Sequence, residues 1–317
     1  MTELPLPEPG EGEVRVRVHA SALNPADYKV ALGTVKFLHA RNFPMVLGYD
    51  FSGVADALGR NVTQIAPGAE VFGFLPYSPT NRRGAFAEAV VARADQLALK
   101  PQAVSHAQAA AAATPGLTSI QSLRDIGRLH EGMEVVVTGV SGGVGSIAVA
   151  IAKRLGAKVI AIGSGRGLQL ASQMGADRTL DRTREDPLAV LKGPFDVVFD
   201  AAAASRWRQW HGKLNRRGTF ITTLPSLSFV ADKLSSLFSG SRCGLVMVKS
   251  KSADLRLLAE WLSAGLTVPV DRTISLADVP LNLARLARGE VLGRVVVEID
   301  APQGPSSESS STHLHVR

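Results

Sequence analysis

The chain has 317 residues and a mass of 33.4 kDa, a length that favours about two domains. Apolar residues make up 45% and charged residues 20%, and no apolar run is long enough to span a membrane as a helix. The single cysteine, Cys243, excludes an internal disulfide and a cysteine zinc cage. We recognise no secretory signal and therefore expect a cytoplasmic protein.

The net charge of +7 raises the question of a nucleic-acid partner. The densest basic cluster is made of Arg206, Arg208, Lys213, Arg216 and Arg217. Aromatic residues make up only 5% of the chain, so stacking platforms for bases are scarce. The cluster is typical of a solvated basic face, and we expect neither a nucleic-acid nor a membrane partner. A small molecule rich in phosphate would benefit from the positive field.

The first third of the chain is predicted to be a compact, mostly β domain. The alternation of apolar and charged residues at 13–20 (EVRVRVHA) indicates a half-buried strand. Further strands are predicted at 45–56, 70–75 and 85–93.

From His106 onward, strands and helices alternate. The predicted strands are 134–140, 158–163, 178–181, 195–201, 218–223 and 244–248, and helices are predicted at 146–155 and 168–174. The run 134–140 (EVVVTGV) is typical of a strand buried on both faces. Alternation of this kind implies right-handed crossovers and a doubly wound parallel sheet, so the fold class is α/β.

After Lys249 we predict helices at 253–264 and 279–288 and strands at 267–270 and 293–299. This stretch is too small for its own core and should rejoin the N-terminal domain. The predicted domains are therefore 1–105 with 250–300 and, between them, a dinucleotide-binding domain at 106–249. Residues 301–317 are Ser-rich and non-periodic, and we expect a disordered tail that includes His313 and His315.

A glycine-rich turn at 138–145 (TGVSGGVG) carries the main chemical signal. It follows a buried strand and opens a helix, which is the context that a dinucleotide-binding turn requires. Gly142 would let the backbone approach a pyrophosphate, and Gly145 would allow close helix-to-strand packing. The helix amides and dipole would then face the phosphates. The predicted cofactor contacts in the turn are Gly139, Ser141, Gly142, Gly143, Val144 and Gly145.

The end of the second strand of this domain indicates which dinucleotide binds. An acidic residue there usually bonds the adenosine ribose, but this chain has Ser164 and Arg166 in its place. A guanidinium and a hydroxyl suit a 2′-phosphate, so the cofactor is predicted to be NADP(H), with Ser164 and Arg166 as contacts.

Five motifs in a fixed order resemble one known family. They are 24–29 (NPADYK), 44–53 (PMVLGYDFSG), 84–88 (GAFAE), 116–118 (GLT) and 292–297 (LGRVVV), with the glycine turn between the last two. Over about residues 4–300 the chain resembles the medium-chain dehydrogenase/reductase superfamily, in its zinc-free quinone oxidoreductase (zeta-crystallin-like) branch. The resemblance implies a GroES-like β domain beside a Rossmann domain and a homodimer formed through the Rossmann domains. The strand at 244–248 is the candidate edge for that pairing, and the alternative is an ordinary edge strand covered by a loop.

Zinc-containing members of that superfamily have a cysteine where Asn24 stands and a histidine where Tyr49 stands. Zinc polarises an alcohol or carbonyl oxygen, and its loss disfavours simple alcohol oxidation. The resemblance then implies NADPH-dependent reduction of a quinone or an activated alkene. It also implies that Asn24, Tyr28, Lys29 and Asp50 line the cleft near the nicotinamide and that Thr118 contacts the cofactor.

Negative charge builds on the acceptor oxygen when hydride adds to a conjugated carbonyl. Tyr28 or Lys29 could donate a hydrogen bond or a proton there, whereas Asp50 could equally hold the loop by ion pairing. Two alternatives stay open: a non-enzymatic NADPH-binding sensor or partner protein, and an enoyl-thioester reductase.

Overall fold

The computed structural model describes residues 3–34, 45–78 and 83–299. In chain order, the elements of the first part are β1 (Glu13–Ala22), α1 (Pro25–Ala31), β2 (Asp50–Leu58), β3 (Glu70–Phe74), β4 (Ala89–Arg93), β5 (Leu97–Leu99) and α2 (His106–Ile120). The middle part contains β6 (Glu134–Thr138), α3 (Gly143–Arg154), β7 (Lys158–Gly163), α4 (Arg166–Gln173), β8 (Arg178–Asp181), α5 (Pro187–Val190), β9 (Phe195–Asp200), α6 (Trp207–Trp210) and β10 (Leu214–Thr222). The last part contains α7 (Leu227–Ser236), β11 (Arg242–Leu245), α8 (Ser252–Ser263), β12 (Val270–Ile274), α9 (Val279–Ala287) and β13 (Arg294–Glu298).

Strand β1 is the centre of the first sheet. Its residues Val14, Val16 and Val18 are fully buried, as the alternation in the sequence predicts. The strand order is β12-β13-β1-β2-β3-β5, and β4 also pairs with β1. This mostly antiparallel sheet is the predicted GroES-like part of the fold.

The last strands of the described chain return to this first sheet. Strand β13 runs antiparallel to β1, and β12 pairs with β13 in parallel. The amide of Leu23 also donates to the carbonyl of Val295 at 3.0 Å. The chain therefore leaves the first sheet, builds the second, and comes back, although the domain boundaries at 105/106 and 249/250 stay predictions.

The second sheet has the order β11-β10-β9-β6-β7-β8, and its strands are all parallel. Val135, Val136 and Val137 of β6 are fully buried, because helices cover both faces of the sheet. The α/β doubly wound prediction is confirmed. The strand order reverses between β6 and β9, and ligands bind at such a switch point in open α/β sheets.

Helix α2 connects the two sheets, and the sequence analysis did not predict its extent. Its alanines 109–113 are fully buried, and they share one core with Phe72 of the first sheet and Val137 of the second. A helix buried on all sides lacks the apolar stripe on which a periodicity argument depends. Pro115 lies inside this helix.

Several predicted strands have other bounds in the structure. The strand predicted at 244–248 lies at Arg242–Leu245, and the one predicted at 85–93 begins only at Ala89. The segment predicted at 45–56 forms a strand only from Asp50, and the strand predicted at 267–270 lies at Val270–Ile274. The predicted tail, 301–317, lies outside the described residues. Within the described ranges no helix has the length and apolar character needed to cross a membrane.

Candidate functional site

The glycine turn lies between β6 and α3, at the carboxyl edge of the parallel sheet. Gly139 has a φ of 69°, a left-handed conformation that favours glycine, and the amide of Gly142 donates to the Gly139 carbonyl at 3.0 Å. Gly142 is the residue before the first turn of α3. The first amides of a helix have no partner within the helix, so this turn presents donors and a positive dipole end to a ligand.

Gly142 and Gly145 are glycines for different physical reasons. A Cβ built on Gly145 would collide with the carbonyl of Gly139, so the packing of α3 against the turn requires a glycine. A Cβ built on Gly142 would meet only the Gly139 oxygen, at 3.5 Å, and its φ of −91° suits any residue. The fold does not require Gly142, whereas a pyrophosphate approaching the backbone would. The turn therefore fits a dinucleotide.

The glycine turn is hydrogen-bonded to the segment directly before β13. The amide of Gly293 donates to the Ser141 carbonyl at 2.8 Å, and Gly142 forms an isolated bridge with Gly293. The next residue, Arg294, runs along Gly143, where a Cβ would collide with its side chain. The glycine turn and the first sheet therefore meet at residues 293 and 294.

Arg294 joins this turn to a buried polar cluster. Its Nη1 donates to Oδ1 of Asn24 at 3.0 Å, and its Nη2 forms an ion pair with Asp50. Asn24 Nδ2 donates to the same carboxylate at 3.0 Å, and the amide of Thr114 does so at 2.8 Å, with the Thr114 hydroxyl as a further donor. The cluster fixes α1, β2, α2 and β13 relative to one another.

The predicted site residues Asn24 and Asp50 do lie together, but their side chains are fully engaged. Burial raises the pKa of the Asp50 carboxyl, and the donors around it, Arg294 foremost, oppose that rise. A carboxyl group with four donors serves to position its neighbours. This arrangement agrees with the ion-pairing alternative for Asp50.

Asp27 is a second buried carboxyl beside the cluster. It accepts from the amide of Asn24 at 2.7 Å and from the amide of Gly48 at 3.0 Å, and so completes the capping box of α1. Burial is the main cause that raises its pKa to about 7, and the charge of Asp50 adds to the shift.

Of the predicted contacts Tyr28, Lys29 and Thr118, only the last has a hydrogen-bond partner for its side chain among the described residues. The hydroxyl of Tyr28 and the ammonium of Lys29 are half-buried and make no hydrogen bond or ion pair with the described residues. Both are therefore available to an acceptor oxygen. Thr118 is buried, and its hydroxyl donates to the Thr114 carbonyl at 2.7 Å.

Ser164 and Arg166 lie at the end of β7 and the start of α4, as the sequence predicts. Arg166 is exposed, and in the described part of the chain it has neither a hydrogen bond nor an ion pair. Gly165 between them has a φ of 50°. Arg182, at the end of β8, lies close by, because its amide donates to the Gly163 carbonyl at 3.0 Å.

Arg294 and Thr114 belong to the site but were not predicted from the sequence. Both lie inside or beside motifs of the resemblance, but 292–297 was interpreted as a family motif and as part of a strand, with no role for Arg294 in the site. The usable signal was an arginine directly before three consecutive valines, since a charge at the start of such an apolar run is buried and must be paired. Arg294 also leaves its Nε buried and without a partner among the described residues.

The zinc-ligand positions of the superfamily are occupied by side chains that pack. Tyr49 is fully buried, and its ring centre lies 4.5 Å from that of Tyr77. Asn24 belongs to the Arg294 cluster. Across 3–34, 45–78 and 83–299 no group of three or more His, Cys, Asp or Glu residues is placed to hold a metal ion.

Comparisons with known proteins agree with this geometry. Residues 10–102 match the family model for the alcohol dehydrogenase GroES-like domain, and residues 143–223 match that for zinc-binding dehydrogenase. The chain is 29% identical to the mitochondrial NAD(P)H oxidoreductase RTN4IP1 of Mus musculus, over 89% of this chain and 80% of the relative. It is also 29% identical to the chloroplastic quinone-oxidoreductase QR1 of Triphysaria versicolor, over 93% and 92%.

A solved structure, the quinone oxidoreductase from Coxiella burnetii, superimposes with a TM-score of 0.84 at 28% identity and covers 93% of both chains. The two-sheet fold is thus shared with a solved quinone oxidoreductase. The chain is an oxidoreductase of the medium-chain dehydrogenase/reductase superfamily, in its quinone oxidoreductase branch.

Proposed function

We propose that this chain is an NADPH-dependent reductase that delivers hydride to a quinone or to an α,β-unsaturated carbonyl compound without zinc. The observation that carries the proposal is Gly142, a glycine that the fold does not need, at the switch point of a doubly wound sheet. The absence of a side chain at that point lets a pyrophosphate approach the backbone closely. A homodimer and a cytoplasmic location belong to the same proposal.

The residues of the glycine turn, from Gly139 to Gly145, would hold the pyrophosphate. Thr118, which follows Thr114 by one turn of α2, would lie beside the nicotinamide, and Ser164 and Arg166 would hold the 2′-phosphate. When bound, the nicotinamide supplies the hydride. The chain itself must orient the two reactants and stabilise the charge that develops on the acceptor oxygen.

Tyr28 and Lys29 are the donors available for that charge, because neither is engaged by a described residue. Helix α1 carries both, and its N-terminus is fixed through Asn24 by the Arg294 cluster. Neither Asn24 nor Tyr49 offers the thiolate or imidazole that zinc prefers. A conjugated carbonyl is already electrophilic at carbon, so it needs hydrogen-bond donors rather than a Lewis acid.

The experiment is NADPH consumption with a quinone, an enone and an acyl thioester, each repeated with NADH. We expect turnover of the quinone or the enone, unaffected by prolonged chelation. Turnover of the thioester alone would identify an enoyl-thioester reductase. Binding of NADPH without turnover of any acceptor would identify a binding protein.

Arg166→Ala tests the cofactor preference directly. Charge-assisted hydrogen bonds to phosphate contribute about 1.5–3 kcal/mol, so we expect the variant to lose about tenfold or more in kcat/KM for NADPH and little for NADH. Arg182→Ala is the matched control, since it removes a neighbouring exposed arginine. An equal preference for both cofactors in the unmodified protein would contradict the assignment. A loss confined to Arg182→Ala would move the contact to the end of β8.

A further inference from the structure

The chain has three tyrosines, and all of them pack against the same apolar core of the first sheet. Tyr49 is fully buried in that core. Tyr28 on α1 and Tyr77, three residues after the end of β3, are half-buried at its edge. Tyr28 is already a predicted site residue, whereas the sequence alone gave no role to Tyr77.

The ring of Tyr77 lies beside the Arg294 cluster. Strand β3 pairs with β2 so that Phe74 stands opposite Asp50, the carboxyl group of that cluster. The ring centre of Tyr77 is 4.5 Å from that of Tyr49 and 6.3 Å from that of Phe74. Because Tyr49 directly precedes Asp50 in the chain, Tyr77 is placed next to the cluster from the side of β3.

The hydroxyl of Tyr77 makes no hydrogen bond with a described residue. Burial is the main cause that raises its pKa well above the usual value. The negative charges of Asp50 and Asp27 add to that rise, and the positive charge of Arg294 opposes it. Tyr77 therefore keeps its proton at neutral pH and remains a hydrogen-bond donor.

An unpaired phenol in such surroundings indicates a ligand. A hydroxyl that is shielded from water normally has a hydrogen-bond partner, because leaving it unpaired costs free energy. Tyr77 is only half-buried, so a molecule that enters from the solvent can reach it. Its missing partner is therefore a hydrogen-bond acceptor that comes from outside the chain.

Two elements that meet at Asp50 thus each carry a phenol whose hydroxyl is free. Asn24, directly before α1, donates to Asp50 at 3.0 Å, and α1 carries Tyr28. The end of β3 carries Tyr77 and is fixed against Asp50 by the strand pairing. Donors on rigid elements need no rearrangement when charge develops on a reactant, which is what makes such donors effective.

We propose that Tyr77 is a further catalytic residue, which donates a hydrogen bond to the carbonyl oxygen of the acceptor. This inference rests on the proposed reductase activity. The hydride that the nicotinamide loses adds, with its electron pair, to the β-carbon of an enone. The electron pair of the C=C bond shifts toward the carbonyl group, and the oxygen becomes an enolate oxygen. Tyr77 keeps its own proton in this step, and water supplies the proton that completes the product.

The first measurement is the steady-state reduction of an enone and of a quinone by Tyr77→Phe, which keeps the ring and loses only the hydroxyl. Loss of a principal oxyanion donor lowers kcat by about 100- to 1,000-fold. Since Tyr28 and Lys29 can share the charge, we expect a fall of at least about tenfold in kcat, with unchanged NADPH affinity. Tyr49→Phe is the matched control, because it removes the hydroxyl of the neighbouring buried ring and should leave turnover unchanged.

The second measurement needs no turnover. The ionised form of 4-nitrophenol is a planar oxyanion that stands in for the enolate, and its absorbance reports its binding to the protein in the presence of NADP+. Tyr77→Phe should bind it about tenfold or more weakly, as expected for the loss of one charge-assisted hydrogen bond. Tyr49→Phe should bind it normally, and circular dichroism shows whether each variant is folded.

Four results would overturn the role of Tyr77. If Tyr77→Phe keeps its turnover, the role fails while the reductase activity stands. A fall in turnover with normal binding of the nitrophenolate means that the hydroxyl does not contact the oxyanion. Equal losses in Tyr49→Phe would show that the two rings act only by packing. If the unmodified protein reduces neither acceptor, the proposed function fails and the role of Tyr77 fails with it.

Discussion

The ion pair between Arg294 and Asp50 is buried on both sides, and its carboxylate has further donors in Asn24 and Thr114. Removing one member of such a pair leaves a charge without compensation. The contribution of this ion pair to stability is therefore measured by removing one partner, and it does not follow from the number of its hydrogen bonds.

We expect Arg294→Met to lower the free energy of unfolding by about 3–5 kcal/mol, because it leaves the Asp50 carboxylate buried and unpaired. Urea denaturation measures the change. Adding Asp50→Asn should recover part of the loss, since the charge is then gone. Arg93→Met removes an exposed pair with Asp95 and should cost less than about 1 kcal/mol. Equal losses for Arg294→Met and Arg93→Met would contradict the assignment.

Asp27 predicts a pH dependence of stability. Its pKa is raised from 3.8 to about 7 in the folded protein, so between these values the folded state binds more protons than the unfolded state. The contribution of Asp27 to stability is complete below the unfolded pKa and is lost as the pH rises through 7, at up to about 1.4 kcal/mol per pH unit.

The free energy of unfolding of Asp27→Asn should therefore fall less between about pH 4 and pH 7 than that of the unmodified protein. Urea denaturation of both proteins at several pH values in this range measures the effect. Subtracting one stability curve from the other removes the contribution of the histidines, because both proteins contain them. His19 and His106 titrate in the opposite sense, because burial lowers both of their pKa values. A variant whose stability follows the same pH curve as the unmodified protein would show that Asp27 stays ionised.

At the scale of elements, the glycine turn and α3 give a paired prediction. Gly142→Val places its side chain in open space toward the predicted phosphate path, so the variant should fold normally and lose at least tenfold in NADPH affinity. Gly145→Val collides with the Gly139 carbonyl and should instead destabilise the fold by about 1–3 kcal/mol. Fluorescence titration and urea denaturation separate the two effects. Unchanged NADPH binding by Gly142→Val would remove the turn from the phosphate site.

Elements with a simple periodic signal could be predicted from the sequence. Strand β7 has the predicted bounds, since a short apolar run between turns defines it. Strand β8 (RTLD) also has the predicted bounds, although only Leu180 in it is apolar. Helix α2 could not be predicted in this way, because its alanines are buried on every side. Helix α7 was not predicted either, because its apolar residues are exposed and its buried residues, Asp232 and Ser236, are polar.

The candidate site was predicted only where it is local in sequence. The glycine turn, Ser164 and Arg166 lie within two short segments. In each segment, the neighbouring residues alone predict the group that it binds. The Arg294 cluster depends on residues that only the tertiary fold brings together. Without the pairing of β1 with β13, nothing places an arginine near the end of the chain against Asp50.

At the scale of the whole molecule, one apolar core includes residues of both sheets and of α2. A ligand bound at the glycine turn should therefore stabilise the chain as a unit. At 100 times its Kd, NADPH should raise the free energy of unfolding by about 2.7 kcal/mol. In a Trp261→Phe variant, which removes the tryptophan on α8, the fluorescence of Trp207 and Trp210 reports on the second sheet, and far-ultraviolet circular dichroism reports on the whole chain.

Both transitions should move together to higher urea concentration, and Gly142→Val should show no such shift. Transitions that separate when NADPH is added would mean that the first sheet unfolds independently of the second.

The return of the chain at Gly293 and Arg294 also determines when the site can exist during synthesis. Asp50 emerges from the ribosome early, and its partner Arg294 follows 244 residues later. The second sheet and its glycine turn can form in the meantime, but the Ser141 carbonyl still lacks the amide of Gly293. A nascent chain therefore carries a complete glycine turn beside an unfinished cleft, and the two are joined only after residues 293 and 294 have been synthesised.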